Sequence, residues 1–145
     1  MAGYSDNLLV KKLGIKAHSE LVVINAPEGY ERLVAPLPEG VRIASHVTSN
    51  THLVHVFTVR RKHLAGLLER SLKRLADSSV VWVSWPKKSS GVDSEITEDV
   101  IRDVALPLGF VDVKVCAVDG VWSGLKLVIR KERRKAGGDR GHISR

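Results

Sequence analysis

Three segments of the chain are apolar almost without interruption: LVVIN at 21–25, LVHVFTV at 53–59 and VVWVSW at 80–85. Runs of this kind, bounded by turn residues, belong to strands covered on both faces, the pattern of a parallel sheet between helical layers. A shorter run, VRIASHV at 41–47, predicts one more strand. Elsewhere the period changes. Leu64, Leu67, Leu68, Leu72 and Leu75 recur at helical spacing, with Lys62, Glu69, Arg70, Lys73 and Arg74 mostly on the other face, which predicts a helix over 61–76. Tyr30, Leu33, Val34 and Leu37 repeat that spacing after Asn25-Ala26-Pro27-Glu28, where Pro27 suits a first helical turn and Asn25 a cap. Val100, Ile101, Val104 and Ala105 mark another helix, with Thr97 as its cap, Glu98 and Asp99 in its first turn and Gly109 past its end. A short helix over 6–13, capped by Ser5 and closed by Gly14, opens the chain.

The last two strands alternate. In VDVKVCAV at 111–118, Val111, Val113, Val115 and Ala117 share one face and leave Cys116 with Asp112 and Lys114 on the other. Leu125, Leu127 and Ile129 share a face of the next strand, and DGVWSG at 119–124 joins the two as an antiparallel edge hairpin. The expected architecture is therefore α/β: a three-layer, Rossmann-like, mostly parallel sheet with a C-terminal antiparallel hairpin. One link opposes it. Only residues 48–52 connect the second and third strands, whereas a parallel crossover takes about a dozen residues. A tight Ser49-Asn50 turn there would give a ferredoxin-like βαββαβ core plus an extra αββ unit. Both orders stay open, with the doubly wound one preferred.

Composition adds bounds rather than chemistry. The chain has 145 residues, 43% hydrophobic and 27% charged, enough to bury one globular core. A single α/β domain is expected over 1–134, followed by a disordered basic tail over 135–145, where Ile143 is the one large apolar residue. The net charge of +7 suggests a nucleic-acid partner, but its distribution weakens the suggestion. Residues 130–145 hold seven Lys or Arg and two acids, so the rest of the chain is close to balanced. The lone Cys116 excludes an intramolecular disulfide framework and a paired-cysteine zinc site. His18, His46, His52, His55, His63 and His142 show no ligand spacing, so no metal is expected. The start of the chain lacks the pattern of a secretory leader, and no stretch approaches the roughly 20 apolar residues of a membrane span, so a cytoplasmic setting is expected.

Four segments carry a family resemblance: NAPEGY at 25–30, SWPKKSSGV at 84–92, ITEDVIRDVALPLGFVDVKVCAVD at 96–119 and VWSGLKLVIRK at 121–131. Over about 4–134 the chain resembles a bacterial family of short proteins catalogued as a domain of unknown function, which brings no activity with it. More distantly, the order of elements resembles the S-adenosylmethionine-dependent methyltransferase fold, shortened by one βα unit and ending in the hairpin those enzymes share. That resemblance implies a glycine-rich cofactor loop after the first strand, where this chain has Asn25, Ala26, Pro27, Glu28 and Gly29. Proline removes a donor and adds bulk where close approach to a cofactor is needed. The resemblance also implies an acid at the end of the second strand to hold ribose hydroxyls, where this chain has Ala44, Ser45, His46 and Val47. No cofactor is therefore expected.

Ligands of open α/β sheets sit at the carboxyl ends of the parallel strands. In the doubly wound order that rim gathers 25–29, 58–61, 86–91 and 119–124, and its candidate binding residues are Asn25, Glu28, Gly29, Arg60, Lys87, Lys88, Ser89, Ser90, Trp122 and Ser123. Cations and hydroxyls after a strand favour an anionic group, and Trp122 offers a stacking surface. Several have a plainer role: lysines in a solvated turn, Trp122 over a core edge, Asn25 as a helix cap and Glu28 in the field of a helix N-terminus, with the neighbouring Asp119-Gly120 as turn residues. No catalytic motif stands out, so whether the chain is an enzyme stays open. Three readings follow: a noncatalytic module binding a small anionic ligand or a protein partner at the strand ends, a diverged methyltransferase, and a nucleic-acid accessory protein acting through its tail. No membrane partner is expected.

Overall fold

The computed structural model describes residues 8–131. Ser5 and the tail over 135–145 lie outside the described residues. Helix α1 is Leu9–Leu13, followed by strand β1 (Glu20–Ile24), a single helical turn α2 (Tyr30–Leu33), β2 (Arg42–Ala44) and β3 (Leu53–Phe57). Then come α3 (Arg61–Arg74), β4 (Val80–Pro86), a 3-10 turn at Lys88–Ser90, α4 (Glu98–Leu108), β5 (Phe110–Ala117) and β6 (Trp122–Ile129). Among the described residues no helix is long and apolar enough to cross a membrane.

The six strands form one sheet in the order β2-β1-β3-β4-β6-β5. The first four are parallel, and β6 enters antiparallel between β4 and β5. The doubly wound reading holds and the ferredoxin-like one does not: β2 and β3 both pair with β1, on opposite sides, so no hairpin turns at Ser49-Asn50. The crossover from β2 to β3 is made in residues 45–52 without a helix. It returns the chain to the amino pole, where the Thr51 hydroxyl accepts from the Thr48 N–H and the His52 N–H bonds to the Glu20 carbonyl.

Both faces of the sheet are covered, which is why the strands are continuously apolar. Val22, Val54, Val56, Val81, Val83 and Trp85 point to the side of α3 and α4, where they meet Leu64, Leu68, Ile101 and Ala105. Leu21, Leu53, Phe57 and Trp82 point the other way, toward α1, Tyr30 and Val34. The Trp82 indole N–H donates to the Leu13 carbonyl at 2.9 Å, which fastens α1 to the central strand.

Four local expectations change. The predicted helix after β1 shrinks to one turn, because Gly29 sits in the left-handed region (φ 82°) and starts it late. Asn25 is not its cap, and Glu28 lies before it, leaving Glu31 as the acid of its first turn. Trp122 to Gly124 belong to β6 rather than to the hairpin loop, and β6 is an inner strand, so of the hairpin pair β5 alone is an edge. A bulge between Asp112 and Lys114 breaks the alternation of β5. Val113 is the extra residue, so Asp112 shares a face with Val115, while Cys116 lies with Lys114 and Val111. Asp112, on the Phe110 side of the bulge, accepts from the Arg102 guanidinium of α4 at 2.9 Å, which holds its carboxyl below the usual range.

Candidate functional site

The parallel order brings all four candidate segments to one rim, the carboxyl ends of β1, β3 and β4, with the start of β6 beside Pro86. They form a ledge rather than a single pocket. Asn25 and Lys87 follow strands two spacings apart, roughly 10 Å across the sheet. Trp122 and Ser123 are successive residues of β6, so their side chains leave opposite faces. Gly29 lines a cavity of about 440 Å³ with Val23, Pro27, Tyr30, Arg32 and Ile43. Arg60 lines another of about 330 Å³ with Asp93, Ser94 and Glu95.

Several candidate side chains are engaged within the protein. The Lys87 ammonium donates to the Asp119 carbonyl at 2.9 Å, and its backbone N–H donates to the Val121 carbonyl at 2.7 Å. Asp119 Oδ1 in turn accepts from the N–H groups of Val121 and Trp122, both at 2.8 Å, the turn role expected of it. Ser90 Oγ donates to the Lys87 carbonyl at 2.7 Å and accepts from the Val92 N–H. The two loops are therefore clamped into one unit, and Lys88 and Ser89 stand exposed on it. Trp122 is half-buried with its ring edge-to-face on Phe57, centroids 5.0 Å apart, as a core edge requires.

Asn25 does something the sequence did not suggest. It adopts the left-handed conformation (φ 59°), which Asn tolerates better than most residues, and its side-chain amide donates to the Phe57 carbonyl at 3.3 Å. Because β2 lies on one side of β1 and β3 on the other, the point between β1 and β3 is where the strand order reverses, the usual crevice of this architecture. Asn25 bridges that crevice. Glu28 is exposed beside it.

Beneath the rim lies a buried polar chain that sequence reasoning missed. His55 is fully buried; its Nδ1 is 2.8 Å from the Tyr30 hydroxyl and its Nε2 is 2.8 Å from Ser84 Oγ. A neutral imidazole donates through one nitrogen and accepts through the other, so both hydroxyls are matched. Burial pushes the His55 pKa down to about 3 and raises that of Tyr30. The ring stacks on Phe57 with centroids 4.3 Å apart. The signal was present: His55 and Ser84 each interrupt an apolar run, and the β3–β4 register puts them two positions from direct opposition.

With this geometry in view, known structures identify the architecture. An S-adenosylmethionine-dependent methyltransferase from Aquifex aeolicus superposes with a TM-score of 0.61 over 83% of this chain and 87% of that one, at 12% identity. The fold is that of the S-adenosylmethionine-dependent methyltransferases. A putative type 11 methyltransferase from Sulfolobus solfataricus gives a TM-score of 0.55 at 12% identity, covering 78% of this chain and 85% of that one. The DhpI–SAH complex gives 0.55 at 11% identity, covering 90% and 86%. At these identities the likeness concerns the fold alone. No family model and no curated protein matches the chain, so the likeness to the short bacterial proteins rests on the four sequence segments.

Proposed function

We propose that this chain is a noncatalytic domain of methyltransferase-like fold that binds an anionic group at the strand carboxyl ends, on the ledge formed by 86–92 and 118–122. The observation that carries the reading is the Asn25 bridge to the Phe57 carbonyl, which puts a side chain of the protein in the crevice where this architecture takes its ligand. Pro27 in the same loop and a helix of one turn after it agree with that reading, because neither offers a row of backbone donors. On the ledge, Lys88 and Ser89 are exposed beside the exposed Val92 and Val121. An open surface of cation, hydroxyl and apolar groups, held rigid by the Lys87 clamp, favours the acidic segment of a protein partner over an enclosed small ligand.

The second reading, a diverged methyltransferase, is favoured by the fold and by neighbours determined with the cofactor or its product, among them PigF with SAH and LepI with SAM. Titration calorimetry separates the two. The proposal expects no saturable heat with S-adenosylmethionine at about 1 mM, and a fluorescent peptide alternating Glu and Leu is expected to bind the full chain and lose about tenfold in affinity on Lys88→Glu. Micromolar cofactor binding would transfer the conclusion to the methyltransferase reading. Peptide binding indifferent to Lys88→Glu would remove the ledge. The tail reading concerns residues 135–145, outside those described; it predicts RNA binding that falls with salt and disappears when residues 131–145 are deleted.

A further inference from the structure

The helix-free crossover has a consequence on the opposite side of β1 from α1. A crossover helix would normally cover the sheet beside β1 and β2 on that side. Here residues 45–52 run back as irregular chain, with Val47 against the core, and a groove of about 400 Å³ remains between that segment and α3. Its apolar floor is Ile24, Val47 and Leu67. Its wall carries Arg70 and Arg74, one turn apart on α3, and His46 faces them from the crossover.

Both arginines are exposed, and among the described residues the ion pairs involve Arg42, Arg61 and Arg102 instead. Helix α3 carries five Lys or Arg against the single acid Glu69, and two of the five, Arg70 and Arg74, line the groove. Arg70 is also placed by an unusual neighbour. Gly66, four residues earlier, stands in the helix interior, where glycine costs about 1 kcal/mol relative to alanine. A Cβ there would come within 2.9 Å of Arg70 Nη1, so the missing methyl lets the guanidinium lie back along the helix.

We propose that this groove binds a small organic anion, its phosphate or carboxylate held by the guanidinium groups of Arg70 and Arg74 and its apolar or ring body laid on Ile24, Val47 and Leu67. Paired guanidinium groups match the planar or tetrahedral oxygens of such a head group. The floor supplies contact area that a free inorganic ion cannot use. The site is separate from the ledge around Lys88 and stands or falls independently of it.

The test is titration of the full chain with four probes: phenyl phosphate, benzoate, inorganic phosphate and benzyl alcohol. The two probes that carry both a ring and a charge should compete for one site, and whichever binds more tightly names the head group. Each should bind about tenfold more tightly than either inorganic phosphate or benzyl alcohol, which have only half of the recognition chemistry. Arg70→Gln and Arg74→Gln should each weaken the better probe by about tenfold, and Lys88→Glu should leave it unchanged. Gly66→Ala provides a variant that does not threaten folding: it should raise the thermal midpoint yet weaken binding, because the new methyl displaces Arg70. Absence of saturable binding by both phenyl phosphate and benzoate at about 10 mM would overturn the proposal. So would binding that the Arg70→Gln, Arg74→Gln double variant retains.

Discussion

His55 shows how a single polar residue is accommodated in a strand covered on both faces. An unpaired imidazole would be costly there; bonded at both nitrogens it orders the Tyr30 and Ser84 hydroxyls and joins the one-turn helix to two central strands. His55→Leu leaves both hydroxyls without partners, and a loss of about 2–4 kcal/mol is expected in urea unfolding near neutral pH. The pH dependence has a definite sign. His55 titrates near 6.5 when unfolded and about 3 when folded, so below 6.5 the unfolded state takes up the proton first. The contribution is intact above 6.5 and is lost progressively as pH falls toward 3. Between pH 7.5 and pH 5 the wild type should lose about 2 kcal/mol from this source, a loss absent from His55→Leu, so the gap between the two proteins should narrow by that amount. A constant gap would mean that His55 is not buried in neutral form. Within this cluster the parity of β3 and β4 could be read from sequence, since residues two apart share a face. The partner from outside the sheet could not, because Tyr30 reaches His55 through a loop whose course depends on Gly29 and Asn25.

Among the elements, helix α4 follows its sequence signals closely. Thr97 Oγ1 accepts from the Val100 N–H at 3.2 Å, Glu98 and Asp99 occupy the first turn, and Gly109 closes the helix just past Pro107. Thr97→Ala should cost about 1 kcal/mol in unfolding free energy, with the α3–α4 side of the core otherwise intact. The segment after β1 shows the reverse. Its apolar residues repeat at helical spacing, yet only Tyr30–Leu33 are helical. Tyr30 and Val34 are buried against the sheet, so the spacing records burial on one side, which a turn followed by extended chain can also supply. In β5 the alternation of valines suggested a regular strand. The bulge at Val113 reverses the parity partway along, so that Phe110 and Asp112 face α4 while Cys116 and Val118 pack on the other side of the sheet.

At the scale of the whole molecule, the rim is assembled from loops distant in sequence, and Lys87 is the residue that joins two of them. Lys87→Met keeps the aliphatic stem and removes the bond to the Asp119 carbonyl; about 1 kcal/mol of stability should go with it. Amide hydrogen exchange should quicken at Val121 and Trp122, whose N–H groups are ordered by Asp119, while the β1–β3 ladder stays protected. Unchanged exchange in the hairpin loop would mean that the ledge is rigid for another reason. The same scale explains why Lys87 and Lys88 divide in role: Lys87 points back to the hairpin and is half-buried, while Lys88, one residue on, begins the 3-10 turn and is exposed. Sequence gives two adjacent cations no means of being told apart.

By itself, the sequence determined what depends on local pattern. Continuous apolar runs required a sheet covered twice, leucines at helical spacing required α3, and Thr97 with Gly109 bounded α4, because hydrophobic period and capping chemistry act within a few residues. Only the tertiary structure decided what depends on which strand lies beside which. Parallel placement of β2 and β3 on either side of β1 set the crevice that Asn25 bridges and left the groove beside Arg70 and Arg74, while β4 between β3 and β6 matched His55 with Ser84 and seated Lys87 against Asp119. Those contacts join residues that the chain keeps far apart, and their geometry follows from the pairing and covering of the strands rather than from any local preference.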